Sequence, residues 1–219
     1  MYNTLNCSIA LELRAIRAPS QQSKSEELSS KPNRKPKNLD VRGREYLLSE
    51  EVEAMMNAAA SVGRHPVRDR ALILLMYRHG FRVSEVNSLR WHQIDLNRAN
   101  IHVHRRKNGK PSTHPLYGDE LRLLRQIGRD YPDTPYVFVS ERKTPLSERI
   151  IHQIVQRAGK EACLDFPVHP HMLRHGCGYY LADKGFDTRV IQDYLGHRQI
   201  QHTVKYTELA PGRFAGLWD

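Results

Sequence analysis

The chain has 219 residues, of which 39% are hydrophobic, a length and composition that suit one main domain with a sizeable core. Its longest apolar run, residues 71–77, is far shorter than the ~20 residues of a membrane span, and no signal peptide is recognisable, so we expect a cytoplasmic protein without a membrane partner. The formal charge of +10 favours a polyanionic partner, and nucleic acid rather than lipid because no basic segment carries a Trp and Phe face. Three cysteines without a CxxC pattern argue against a disulfide framework and a zinc ribbon.

The first 44 residues differ in composition from the rest of the chain. Ser, Gln, Pro and Lys dominate them, and nine Lys and Arg stand against four Asp and Glu. This pattern predicts a disordered or extended basic arm over 1–44, followed by one domain over 45–219. The arm is either a solvated linker or a segment that follows a nucleic-acid backbone, in which case Arg34, Lys35 and Lys37 are candidate phosphate contacts.

Helical periodicity covers most of the chain after the arm. It predicts helices that begin at Ser49 and Pro66, a short helix from Arg82 to about Leu89, and five later segments: 119–131, 147–163, 170–184, 187–195 and 203–209. Ser49 and Asp187 are the expected N-caps, and Gly80 and Gly196 the expected stops. Among side chains expected to face the core are Ile150, Tyr180 and Tyr194.

One stretch has the period of a β-sheet instead. Ile101 and Val103 alternate with polar residues, and Asn108-Gly109 is a strong hairpin signal, so we expect antiparallel strands over 100–106 and 110–116 and a third strand over 136–140. Lys107 then lies at the tip of the hairpin. The predicted fold class is therefore α+β, mainly α-helical, with a small antiparallel sheet.

Six residues form a pattern that runs through the domain: Arg82, Lys107, His171, Arg174, His197 and Tyr206. Together with the surrounding FRVSE, HPHMLRH and YLGHR, the pattern resembles the tyrosine recombinase (integrase) family over residues 46–219. The stretches RRKNGKPSTHPL, IQDYLGH and RFAGLW are most similar to the short recombinases that switch fimbrial phase variation. The resemblance implies the catalytic domain of that family, acting on double-stranded DNA in the bacterial nucleoid.

The residue types suit phosphodiester chemistry. The five-coordinate transition state carries extra negative charge on its non-bridging oxygens, which the guanidinium groups of Arg82 and Arg174 are suited to stabilise. A tyrosine hydroxyl needs help to lose its proton at neutral pH, and His171 is the candidate base. The resemblance implies that Tyr206 is the nucleophile of a 3′-phosphotyrosine intermediate formed without metal or ATP.

The resemblance also implies the remaining roles. Lys107 would protonate the leaving 5′ oxygen, His197 would donate a hydrogen bond to the phosphate, and Lys110 would join the DNA contacts. Family members assemble as tetramers on two synapsed sites, and we expect the same here, with weak association without DNA. Phe214, Leu217 and Trp218 either form the contact between subunits or pack on their own core.

Each of these residues also has a structural alternative. Arg82 can simply pair with a local carboxylate such as Glu85, and Tyr206 can be a core phenol. A zinc site built from His169, His171, His175 and Cys177 is the main chemical rival, but it lacks the HExxH pattern and would place Arg174 beside the metal.

The function therefore has one leading interpretation and two alternatives. The leading one is a site-specific recombinase that inverts, integrates or excises DNA. The alternatives are a DNA-binding regulator whose cleavage chemistry is unused and an enzyme that relaxes DNA like a type IB topoisomerase. Only the 44-residue arm precedes the domain, where most family members carry a helical DNA-binding domain, so we expect help from accessory DNA-bending proteins.

Overall fold

The computed structural model describes residues 44–105 and 109–208. This part of the chain contains eight α-helices and one short sheet. The helices are α1 Ser49–Ser61, α2 Pro66–Arg78, α3 Val83–Val86, α4 Gly118–Asp130, α5 Glu148–Glu161, α6 Pro170–Asp183, α7 Thr188–Leu195 and α8 Gln201–Glu208. The strands are β1 Ile94–Asp95, β2 Asn100–Val103 and β3 Ser112–Pro115.

The helix boundaries follow local sequence signals. Pro66 is the first residue of α2, and Gly80 after its end adopts the left-handed conformation with φ +57°. Asp187 caps α7 by accepting a hydrogen bond from Arg189 N, and Gly196 ends it with φ 64°. These starts and stops confirm the predictions made for both helices.

Three details of the helix predictions were wrong. The short helix ends at Val86 rather than near Leu89, because Leu89 already belongs to the bend that leads to the sheet. Ser49 is the first residue of α1 and not its cap; its hydroxyl pairs with the Tyr77 hydroxyl at 3.0 Å. Ile150 and Tyr180 are exposed, since the stripe that each helix buries is narrower than its apolar sequence pattern.

The sheet has the order β1-β2-β3, and all pairs are antiparallel. The predicted antiparallel pairing of the two strands is confirmed, with Ile101 opposite His114, but both strands are shorter than expected, and the predicted turn at Asn108 lies outside the described residues. The third strand is β1 and not 136–140, where only isolated bridges occur, from Tyr136 to Arg90 and from Val139 to Pro145. A short apolar run such as YVFVS is buried here as an irregular segment, which periodicity alone does not distinguish from a strand.

The core has two parts. The larger one lies among α1, α2, α4 and α5 and contains fully buried side chains such as Leu72, Met76, Phe138 and Ile151. The smaller one lies where α6, α7 and α8 meet, and its members are Cys177, Ala182, Ile191, Leu195 and Tyr206. Helix α6 contacts both α2 and α8, so it connects the two parts and carries the HxxR pattern between them. No helix in the described ranges is long and apolar enough to cross a membrane.

Candidate active site

Arg174 lies in the middle of α6 and is 1% exposed. One terminal nitrogen of its guanidinium donates to the carbonyl of Gly80, and the other donates to the carbonyl of Leu195 at 2.7 Å. Burial, and then the positive charges of Arg105 and Arg82, lower the pKa of Arg174. Its charge is therefore held in one orientation and only partly balanced, which suits it to an anionic ligand.

Arg82 occupies the N-cap position of α3 and forms an ion pair with Glu85. Its Nη1 lies 2.7 Å from one carboxylate oxygen, and its backbone N–H donates to the other at 3.0 Å. Although burial raises it, the pKa of Glu85 lies below the usual range because of the positive charge of Arg105 and the hydrogen bonds from Arg82. The local pairing that the sequence suggested is real, but 27% of the Arg82 side chain remains exposed for a second partner.

Tyr206 lies on α8 and is 1% exposed. Its hydroxyl is 2.7 Å from Nδ1 of His175, and its ring packs so tightly on Gly178 that an added Cβ there would lie 2.6 Å from a ring carbon. Burial raises the pKa of the phenol, even though the positive charge of Arg174 acts in the opposite direction. The hydroxyl is therefore neutral at pH 7 and enclosed.

The rings of His175 and His197 contact this phenol, His171 contacts His175, and all three histidines have lowered pKa values. Burial and the charge of Lys205 lower the pKa of His175 to about 2, so its Nδ1 is unprotonated and accepts a hydrogen bond from the phenol; Lys205 Nζ lies 3.4 Å from the same nitrogen. His171 keeps an exposed edge, lies against His175 with ring centroids 4.5 Å apart, and has a pKa lowered to about 4. The pKa of His197, which pairs with Thr203 at 2.9 Å, is lowered to about 3 by burial and by Arg174.

Side-chain contacts bring these groups together in one site, the pocket: ring contacts run from His171 through His175 to Tyr206 and on to His197, and Arg174 lies on the same helix as the first two. The charges of Arg82 and Arg174 both shift the pKa values of His171, His197 and Tyr206. Charges perturb a titratable group in this way only when they lie close to it. The fold thus brings together five of the six residues that the sequence pattern selected.

The other residues of the predicted site lie elsewhere or outside the described residues. Lys107 belongs to the segment 106–108 and Arg34, Lys35 and Lys37 to the arm, and neither segment is described. The same holds for the apolar stretch 209–219. Lys110 is described: it is exposed, its Nζ lies 3.8 Å from a carboxylate oxygen of Asp193, and both residues line a cavity that His197 also borders.

The residues of the rival zinc site point in different directions. His169 pairs with Glu45 at 3.2 Å, His175 with Tyr206, and the Cys177 sulfur lies 3.4 Å from the carbonyl of Arg78. Burial raises the pKa of the Cys177 thiol to about 12, so it is protonated. Within the described ranges, no three His, Cys, Asp or Glu side chains are grouped to hold a metal ion.

Three residues of the pocket were not assigned to the catalytic site from the sequence: His175, Arg105 and Lys205, whose Nζ lies 5.0 Å from the centroid of the Tyr206 ring. His175, rather than His171, is the hydrogen-bond partner of the phenol, and its position one helical turn after His171 was the available signal. Arg105 is buried and bonded to Glu85 at 3.0 Å. Ile101 and Val103 face the core, and continuing their alternation by two residues points Arg105 inward as well. A charged residue at an inward position indicates a buried ion pair.

The comparisons with known proteins agree with this geometry. The model of the phage integrase family matches residues 45–213. This chain belongs to that family. It is therefore a tyrosine recombinase, an enzyme of site-specific DNA strand exchange, and the resemblance inferred from the sequence is confirmed.

Among its relatives are two fimbrial regulatory proteins of Escherichia coli strain K12. The recombinase is 45% identical to the type 1 fimbriae regulatory protein FimB over 82% of this chain and 92% of FimB. It is 46% identical to FimE over 80% of this chain and 91% of FimE. The similarity thus extends over nearly the whole of both relatives.

Solved structures show the same fold. The XerA recombinase superposes with a TM-score of 0.68 at 27% identity, covering 79% of this chain and 63% of that one. XerH, crystallised with its difH DNA substrate before cleavage, gives a TM-score of 0.65 at 23% identity, covering 75% of this chain and 50% of that one. The recombinase therefore spans half to under two thirds of these longer chains.

Proposed function

We propose that this recombinase inverts a segment of double-stranded DNA by cutting and rejoining it through Tyr206. One observation carries the proposal: a tyrosine hydroxyl lies in a pocket with two partly unbalanced arginines, in the order of the family pattern. The extended similarity to FimB and FimE supports inversion rather than integration or excision. The place of action would be the bacterial nucleoid, where the DNA is.

In this mechanism the arginines act on the phosphate. Arg82 and Arg174 would donate hydrogen bonds to the non-bridging oxygens, whose negative charge increases as the phosphorus becomes five-coordinate. Both keep N–H donors beyond those that bond to Glu85 and to the backbone carbonyls, since a guanidinium has five. These cations repel one another in the free enzyme. Their interaction with the phosphate is therefore most favourable when the extra negative charge develops on it.

Tyr206 would attack phosphorus and form the 3′-phosphotyrosine. Its proton leaves towards the imidazole pair: His175 contacts the hydroxyl, and His171, the base expected from the sequence, flanks His175. Both imidazoles are weak bases in the present pocket, but a phosphodiester brings a negative charge that raises the pKa of each. The phenol must also leave its enclosed position to reach a phosphate, so activation and movement are coupled.

Departure of the 5′ oxygen completes cleavage. Lys107 would protonate this oxygen, and His197 would donate a hydrogen bond to the phosphate. The 5′ hydroxyl of another strand then attacks the phosphotyrosine ester, which conserves the bond energy, so the reaction needs no ATP. Residues 82, 107, 171, 174, 197 and 206 supply the required groups without a metal ion.

We further propose that four protomers act on two synapsed duplexes, aided by DNA-bending proteins.

We also propose that the arm over 1–44 binds DNA phosphates in addition to those bound by the domain over 45–219. If the arm neutralises several phosphates, deleting it should make the slope of log affinity against log salt shallower by ~0.9 for each phosphate that the arm neutralises. An unchanged slope would assign the arm to a linker or to protein docking.

The test begins by sequencing the DNA around the gene in sibling clones of its host. Inversion predicts a segment present in both orientations between inverted repeats. A plasmid carrying that segment should then switch orientation in cells that express the recombinase and stay fixed with Tyr206→Phe. Relaxed but unrearranged plasmid would indicate a topoisomerase-like activity, and regulated transcription without any rearrangement would indicate a regulator with unused cleavage chemistry.

A further inference from the structure

We propose that Arg105 is a positioning residue that holds Arg82 and Arg174 in the geometry needed for phosphate, without contacting the phosphate itself. The inference rests on the proposed roles of those two arginines. It deepens them by explaining how two separate helices present their cations to one point.

Arg105 follows the end of β2, and its side chain is 0% exposed. Nη1 donates to the carbonyl of Gly80 at 3.2 Å and to a carboxylate oxygen of Glu85 at 3.0 Å. Nη2 donates to the carbonyls of His79 at 2.8 Å and Tyr194 at 2.6 Å. Arg105 therefore connects the end of β2 with the segment after α2, with α3 and with the last turn of α7.

Two of these acceptors are shared with the arginines of the pocket. One Glu85 oxygen accepts from Arg105, and the other accepts from the Arg82 side chain. The Gly80 carbonyl accepts from both Arg105 and Arg174. Since a carbonyl oxygen has two lone pairs, this double use fixes the direction of both donors. A continuous chain thus runs from Arg82 through Glu85, Arg105 and Gly80 to Arg174.

The hydrogen-bond count separates Arg105 from the residues that would bind phosphate. A guanidinium has five N–H donors, and the four bonds of Arg105 use all those on its terminal nitrogens. The fifth, on Nε, has no partner among the described residues and faces Gly196, where an added Cβ would lie 3.1 Å from it. Four of the five donors of Arg105 are therefore used within the protein, and its Nε is buried against Gly196.

Close packing holds this side chain in place. An added Cβ on Gly109 would lie 2.6 Å from Arg105 Cβ, and one on Gly196 would lie 2.5 Å from Arg105 Cγ. Only backbone without a side chain approaches a neighbour so closely. The two glycines thus pack closely on the aliphatic part of Arg105, while the guanidinium is fixed by its acceptors.

The test compares two versions of the duplex cleavage site mapped in the host. One carries the ordinary phosphodiester, and the other carries a methylphosphonate at the scissile position, where an uncharged methyl group replaces one non-bridging oxygen. Arginines that serve these oxygens contribute less on the methylphosphonate, because less negative charge develops there. A residue that acts only on folding affects both substrates equally.

Arg105→Met should slow single-turnover cleavage of the phosphodiester by about 10²-fold, the typical cost of a misplacement of about 1 Å in a catalytic group. On the methylphosphonate the cleavage rate of the same variant should fall by less than about 10-fold. Its DNA affinity should stay close to that of the wild type. Arg174→Lys should show the same substrate dependence. Arg105→Lys, which retains the charge but not the planar fork, should fall between Arg105→Met and the wild type.

Arg68→Met is the matched control. Arg68 is 6% exposed and bonded to Asp69 and to the carbonyl of Val139, in the larger core rather than in the pocket. Its substitution should lower the rates on both substrates by the same factor. Because both rates come from one preparation, their ratio does not depend on the folded fraction, so a poorly folded Arg105→Met still gives a result.

An equal loss on both substrates, or no loss, would overturn the role of Arg105. Failure of the proposed function looks different, since the wild type itself would then form no covalent product with the phosphodiester.

Discussion

The pocket consists of two halves that are prepared to different degrees. In the arginine half, comprising Arg82, Glu85, Arg105 and Arg174, every guanidinium is already fixed by carboxylate or carbonyl acceptors. In the tyrosine half, comprising His175, His197 and Tyr206, the phenol is neutral, enclosed and bonded to a neutral imidazole. Contacts within the protein thus already hold the electrostatic part of the site in place, whereas the nucleophilic part is held protonated.

This difference explains how a protein can keep a DNA-cutting group unreactive. Fixed cations cost no reorganisation when charge develops in the transition state. A buried phenol with a raised pKa does not attack until an anion changes its surroundings and the ring moves. The two halves should therefore respond differently to substitution, to substrate chemistry and to pH.

The largest effect concerns Lys107, which would act on the leaving oxygen and so differ from the arginine half. Lys107→Ala should slow cleavage by roughly 10²- to 10⁴-fold, the range for a positioned acid or base. A substrate can carry sulfur in place of the bridging 5′ oxygen. Its leaving group then departs as a thiolate and needs no proton. On this substrate, Lys107→Ala should regain most of its rate, while Arg174→Ala should not.

Equal slowness of both variants on the sulfur substrate would make Lys107 an electrostatic contact. The acid would then have to be sought at Lys110 or at a histidine of the pocket.

The tyrosine half should be destabilised when the hydrogen bond between Tyr206 and His175 is removed. His175→Phe and Tyr206→Phe each leave one buried polar group without this partner, so a double-mutant cycle measured by denaturant unfolding should give a coupling free energy of about 1 kcal/mol. As a control, Tyr206→Phe should be additive with Tyr131→Phe, since the Tyr131 hydroxyl pairs with His65 elsewhere. Zero coupling between His175 and Tyr206 would contradict the bond.

A further difference separates the halves by pH. His175 has a pKa of about 2 in the folded protein and about 6.5 when unfolded, so the unfolded state binds the extra proton as pH falls below 6.5. The contribution of this group to the free energy of unfolding should therefore decrease by up to about 1.4 kcal/mol for each unit that the pH falls below 6.5. In His175→Phe the slope of unfolding free energy against pH should be shallower by that amount.

The arginine half should respond only at lower pH. The lowered pKa of Glu85 gives stability that is present above its unfolded value of 4.5 and is lost below it. Glu85→Gln should thus leave the slope between pH 6.5 and 5 unchanged and make the slope shallower below pH 4.5. A change in the upper window instead would contradict the separation of the halves.

Local signals in the sequence predicted much of this structure. Pro66, Gly80, Asp187 and Gly196 mark helix ends because their backbone and capping preferences act within a few residues. The hairpin followed from alternation around Ile101. The family pattern selected Arg82, Arg174 and Tyr206, which the fold does bring together.

The remaining features depend on packing between distant segments. Nothing near 136–140 indicates that this apolar run is buried without forming a strand. The partner of Tyr206 is chosen by how α8 packs on α6, which selects His175 instead of His171. Likewise the acceptors of Arg105 come from the segment before α3 and from the end of α7, and no spacing along the chain specifies that meeting.

The central claim is that Tyr206 becomes covalently joined to DNA. The direct measurement uses a duplex of the mapped site with a nick near the cleavage position, so that the freed strand end diffuses away and the adduct accumulates in excess chelator. Protease digestion and mass spectrometry then locate the nucleotide on the protein. A single 3′-phosphotyrosine should appear on Tyr206 and be absent from Tyr206→Phe, although that variant still binds the duplex. An adduct on Tyr180 or Tyr194, or one that survives in Tyr206→Phe, would rule out Tyr206 as the nucleophile.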